Sequence, residues 1–320
     1  MRLTFLVALV VAAIGCPAVR AEDNLPEPKP VPALQVLPLP DNQISIQNDG
    51  RELTRYYFDE NQKRPFLYPI IGPSGRSLTR MGHPRDPQGH SHHNSIWISH
   101  HDVGGSDFWG DRGDGRIVQR RIDRLIDEGG PAVIETYNQW LRRDDKPLLN
   151  EHRRIEVAAL TAREWLLTID LLLEPATEEI TLGKTPFGMI GVRMAKTIGV
   201  HDGGGRIRNS EGGENEAGVF WKHARWVDYS GPIAVGATEG VTLLDHPSNP
   251  NFPTVFHVRD DGWMGASLTH EESRTVHKSA PLRLRYGLYV HAGMPEAEQI
   301  EQQWKRFAES ESEAFKTAGK

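Results

Sequence analysis

Cysteine is almost absent. The 320-residue chain has one, Cys16, and it lies in an N-terminal leader. A mature chain without cysteine has no disulfides, no thiolate nucleophile and no cysteine-based zinc site, so its stability must come from core burial. Long apolar runs are missing too: after the leader nothing approaches the roughly 20 residues that a membrane span needs. Charge of one sign is not concentrated either. The net charge is −6 with the signs interspersed, so there is no basic stripe to recruit nucleic acid. Neither an internal repeat nor a helical HExxH metal motif occurs.

What is present begins with export. Residues 1–21 place Arg2 before an apolar stretch from Leu3 to Ile14 and end in small residues, as a signal peptide does. Cleavage after Ala21 fits best; Ala13 to Cys16 is weakly lipobox-like, which leaves lipid anchoring at Cys16 as an alternative. The protein is therefore expected in the periplasm or outside the cell. Residues 22–40 hold six prolines and read as an extended linker, with a single domain over 41–320.

Within that domain short strand-like runs recur between glycine, proline and Asn/Asp breaks. They are Gln43 to Asn48, Leu53 to Phe58, Ala132 to Leu141, His152 to Ala159, Trp165 to Leu173, Val219 to Tyr229, Gly240 to Asp245, Thr254 to Val258 and Leu282 to His291. This spacing predicts an all-β fold, a large antiparallel β-sandwich. In the last run Leu282, Leu284, Tyr286, Leu288 and Val290 form a core face, opposite Arg283, Arg285, Tyr289 and His291. Pro295 to Glu309 alone is convincingly helical, with an apolar stripe of Ala297, Ile300, Trp304, Phe307 and Ala308.

Chemistry concentrates in residues 83–109, HPRDPQGHSHHNSIWISHHDVGGSDFW, which hold six of the fourteen histidines. Histidine can be base, acid or metal ligand near neutral pH. If Asn94 to Ser99 is a strand, His93 and His100 stand about 23 Å apart, so at most one end is expected to join any one site. The His100-His101-Asp102 end is the better candidate, because Gly104-Gly105 lets the chain turn and His101 meet Asp102.

Later segments offer partners. RNSEGGENEAGVFWKHARWVDYSGP carries Glu211 in a loop, then Trp221, His223 and Trp226; the odd spacing of the two tryptophans puts them on opposite faces and buries one. HPSNPNFPTVFHVRDDG holds His246, Asn249, His257 and Arg259, and YVHAG holds His291. The expected catalytic set is His93, His101, Asp102, His223, His246 and His291, with Trp109, Glu211, Trp226, Asn249, His257 and Arg259 binding ligand. Aromatic rings beside carboxylates suit a sugar, whose flat face stacks while its hydroxyls take hydrogen bonds.

Four blocks, GHSHHNSIWISHHDVGGSDFW, NSEGGENEAGVFWKHARWVDYSGP, LLDHPSNPNFPTVFHVRDDG and LRYGLYVHAG, occur in this order between Pro65 and Gly293. Together they resemble the secreted bacterial PmoA-like ("methane oxygenase PmoA") family, although Asn94-Ser95 stands where the usual pattern has arginine and glycine. The resemblance implies an exported β-sandwich similar to the galactose-mutarotase supersandwich. Three functions follow as expectations: His/Asp acid–base chemistry on carbohydrate of lyase, epimerase or hydrolase type; a non-catalytic glycan-binding module; or a metal-dependent oxidoreductase. The first requires no cofactor, and the third requires a histidine-ligated metal ion.

Overall fold

The computed structural model describes residues 30–82, 85, 90–310 and 315, so the leader, residues 22–29 of the proline-rich segment and His83 lie outside the described residues. The body is built of two large antiparallel sheets with a core between them. The first has nine strands in the order Leu34–Leu39, Gln43–Asn48, Arg51–Tyr57, Phe66–Ile70, Ile96–His100, Gly188–Arg193, Trp263–Ser267, Val255–Arg259 and Lys222–His223. The second has eight, in the order Arg206–Asn209, Trp226–Ala234, Ala237–Asp245, Leu282–Ala292, Trp165–Pro175, Pro147–Ala159, Ala132–Leu141 and Arg116–Ile126. The expected all-β sandwich is therefore what the chain forms.

Strand alternation assigns the faces. Ile96, Ile98, Ile190, Val192, Phe256, Val258, Met264 and Ala266 point from the nine-stranded sheet into the core. Val227, Val241, Leu243, Leu288, Val290, Leu167 and Ile169 meet them from the eight-stranded sheet. Among the described residues no helix is long and apolar enough to cross a membrane.

The linker expectation is corrected at its C-terminal end. Leu34–Leu39 is a strand paired with Gln43–Asn48, although it contains Pro38. It is the edge strand of its sheet, the position where proline's missing N–H costs no ladder bond. Val219 to Tyr229 is also not one strand: helix Asn215–Val219 precedes it, and only Lys222–His223 and Trp226 onward are extended.

The C-terminal helix, Ala297–Glu309, is closed at its start by a capping box between Glu296 and Gln299. Its Ile300 and Phe307 pack on Trp226, Leu244 and Tyr289 on the outer face of the eight-stranded sheet. On the polar face of Leu282–Ala292, Arg285, Tyr289 and His291 are therefore buried, and Arg283 remains exposed.

Candidate functional site

Cross-strand register places the site. One row across the outer face of the nine-stranded sheet reads Trp97, Gly191, Gly265, His257. The next reads Arg193, Trp263, Arg259. The two glycines leave a trough in which the neighbouring indoles lie: a Cβ on Gly191 would stand 2.7 Å from Trp97 and 2.9 Å from Trp263. Gly191→Ala is therefore expected to lower stability by about 1–3 kcal/mol through overpacking, read from the urea midpoint, and to alter the near-ultraviolet circular dichroism of the tryptophans.

Above this floor lies a cavity of about 550 Å³, lined by five histidines (His90, His92, His93, His101, His257) with Asp107, Trp109, Phe187, Arg259, Asp261 and Trp263. His93 stacks on His90, Trp97 and Trp263, with ring centroids 4.7, 5.1 and 4.9 Å apart. On the other side His257 meets Trp263 at 5.8 Å and Phe187 at 5.5 Å. Phe187 in turn lies 6.0 Å from His101 and 5.9 Å from Trp109. Trp97, Trp109 and Trp263 are all buried, so they shape the floor; the more open rings belong to Phe187, His92, His101 and His257.

Three of these imidazoles, His92, His93 and His257, are biased toward the neutral form. Burial, then the charge of Arg259, brings His257 down to about 4. Burial, His92 and Arg193 push His93 well below the usual histidine range, and burial and Arg64 lower His92. The charged groups of the lining already have hydrogen-bond or ion-pair partners. Asp261 takes hydrogen bonds from Arg193 at 2.7 and 3.1 Å, which outweigh its partial burial and lower its pKa. Asp107 accepts from the backbone N–H of Trp109 and Gly110 at 2.7 and 3.1 Å, and Arg259 lies 3.2 Å from Glu216.

The limit of one strand end per site is overturned, since His93 and His101 line the same cavity. The strand between them is only Ile96–His100, Ser95 takes a left-handed φ of 58°, and the cavity runs lengthwise over the strand. His100 instead faces inward: the hydroxyl of Thr269 donates to Gly183 O, so His100 Nε2 donates to Thr269 at 2.8 Å while its Nδ1 accepts from the Asp102 N–H. Asp102 turns from His101 to accept from the Gly105 N–H at 2.9 Å.

Of the twelve expected site residues, His93, His101, Trp109, His257 and Arg259 converge. The others stand outside this lining. His223 is at the sheet edge, bonded to Pro253 O at 2.7 Å and Glu271 at 3.2 Å. His246 contacts Ser248 and Phe307, and exposed Glu211 pairs with Arg225. Trp226 is buried against the helix with its N–H on Glu301, whereas Trp221 is only partly buried, as their spacing predicts. Asn249 is buried and bridges Asp245 to the backbone of Arg285, and His291 is buried on Asp228. Sequence reasoning missed Phe187, Trp263, Asp107 and Asp261 as lining; Gly191 and Gly265, one residue type on two neighbouring strands, were the available signal.

Among the described residues no cluster of three or more His, Cys, Asp or Glu side chains is arranged to hold a metal ion. His90 and His93 stack within 7° of parallel, so their ring nitrogens lie side by side rather than converging on one point.

Fold and site together define a two-sheet antiparallel sandwich bearing an imidazole-lined, aromatic-floored pocket on the outer face of one sheet. The chain belongs to the family of unknown function DUF6807, which it matches over residues 43–305. Among curated proteins none matches it.

Proposed function

We propose that the protein is exported and binds a neutral carbohydrate carrying a carbonyl in this pocket, and that imidazoles take and return the proton on the carbon beside that carbonyl, in chemistry of epimerase type or, where the glycosidic oxygen then leaves, of lyase type. One observation supports this above others: Asp261 and Arg259 are ion-paired within the protein, Asp107 is held by backbone N–H groups, and burial biases His92, His93 and His257 toward the neutral form. An ionic ligand would need an unmatched countercharge, whereas hydroxyls need neutral donors and acceptors above an apolar floor. The two carboxylates are engaged by Arg193 and by backbone N–H groups, which argues against a hydrolase working through a carboxylate pair. The PmoA-like resemblance is in keeping with a secreted sandwich, and its pattern has glycine where Ser95 takes the left-handed backbone that glycine adopts freely.

A second reading, a non-catalytic binding module, is favoured by the low pKa of His257, which makes it a weak base at neutral pH. Calorimetric titration with sugars, followed by NMR of carbon-bound hydrogen exchange in D₂O, separates the two. Lyase or epimerase chemistry should exchange a ring proton, and His101→Gln or His257→Gln should slow that exchange by about 10²–10⁴ while changing affinity little. Binding without exchange would leave the module; no sugar binding at all would overturn both.

A further inference from the structure

The aromatic wall does not end at the pocket. Beyond His257 it continues to Trp221, 5.6 Å away between ring centroids, and from Trp221 to His270 at 3.9 Å, with Phe220 against both Trp221 and His257. Unlike Trp97, Trp109 and Trp263, Trp221 is only partly buried. It precedes the edge strand Lys222–His223, and among the described residues no further strand pairs on that side of the sheet. Its backbone is held at φ 61° by a 2.9 Å hydrogen bond from its N–H to Phe256 O. A left-handed backbone is unfavourable for so bulky a residue, and the chain keeps it here with the indole against a pocket-lining histidine. Exposed Glu271 lies beside this stretch; its Oε1 is bonded to His223, and the rest of its carboxylate can accept from sugar hydroxyls.

We infer that the site extends across this edge, that Trp221 is a second sugar-stacking platform, and that the ligand is a glycan of at least two linked residues. The inference rests on the carbohydrate reading of the pocket and adds chain length to it. The exposed part of the Trp221 indole can meet the apolar face of a pyranose, whereas the buried indoles of the floor offer no comparable surface.

The test uses mono- to hexasaccharide ladders from xylan, mannan and chitin, titrated by calorimetry into the wild type and Trp221→Asn. Asparagine tolerates the left-handed backbone, so the fold is not put at risk. Wild-type affinity should rise from the monosaccharide to longer members. In W221N that rise should vanish, costing about tenfold on the longer members and leaving the monosaccharide unaffected. Identical length dependence in the two proteins, or equal wild-type affinity for all lengths, overturns the inference alone. A wild type that binds no member of any ladder overturns the carbohydrate reading and the inference with it.

Discussion

Lowering the pH from 6.5 to 4 is expected to strip the protein of much of its stability, a net loss on the order of 5 kcal/mol. His100, His246 and His257 are each brought down to about 4, in every case chiefly by burial, and His93 is lowered further in the same direction. In the unfolded chain these imidazoles take their protons near 6.5. Between about 6.5 and 4 unfolding therefore binds protons, and acid favours the unfolded chain. For His100, which is fully buried, the difference amounts to about 3 kcal/mol. Asp245 opposes it: burial pushes its carboxyl up to about 6 from 3.8, so the folded chain takes up that proton first and regains about as much as one histidine loses. Below 3.8 Asp228 adds a further loss, because hydrogen bonds and charge from His291, Ser230 and Arg208 outweigh its burial and hold it near 2. Urea midpoints across this range should fall steeply, with proton uptake near pH 5 visible as a buffer-dependent calorimetric enthalpy. A flat profile between pH 7 and 4.5 would show that these histidines are charged in the folded protein.

Fold class was legible because antiparallel strands with one wet face write alternation into the sequence: Gln43–Asn48 and Ala132–Leu141 were read to the residue. Gly188–Arg193 and Trp263–Ser267 left no such trace. Both are buried on both faces, one against the core and one under the pocket, so alternation disappears and their glycines look like loop. The pocket rests on those two strands, which is why its floor was invisible while its rim was not. The rim came from the histidine run, but composition could not tell His101, which opens on the cavity, from His100, whose ring turns inward to Thr269. Alternation in Leu282–Ala292 gave the core face correctly and was silent on the other, because a helix 15 residues further on covers it.

Asp228→Ala is expected to cost about 3–5 kcal/mol and yet leave ligand binding by the folded molecules unchanged. Asp228 is fully buried, and its carboxylate is saturated: Oδ1 accepts from His291 Nε2 and Thr242 Oγ1, both at 2.9 Å, and Oδ2 from Ser230 Oγ at 2.6 Å and an Arg208 guanidinium N–H at 3.0 Å. Removing it strands four donors, one of them cationic, on the outer face of the eight-stranded sheet where water cannot replace the lost acceptor. Asp228→Asn should cost less, about 2 kcal/mol, since one acceptor oxygen survives. The pocket lies on the outer face of the opposite sheet, so its floor of Trp97, Gly191, Gly265 and His257 is not touched by the change. Urea denaturation measures the first effect, and calorimetric titration corrected for the folded fraction measures the second. The pairing explains why histidine content alone misleads: His291 has an acid partner, a bridging hydroxyl network and complete burial, the features of a charge relay, but its ring is spent on holding strands together. Loss of binding in fully folded Asp228→Asn would overturn that assignment and couple His291 to the site across the core.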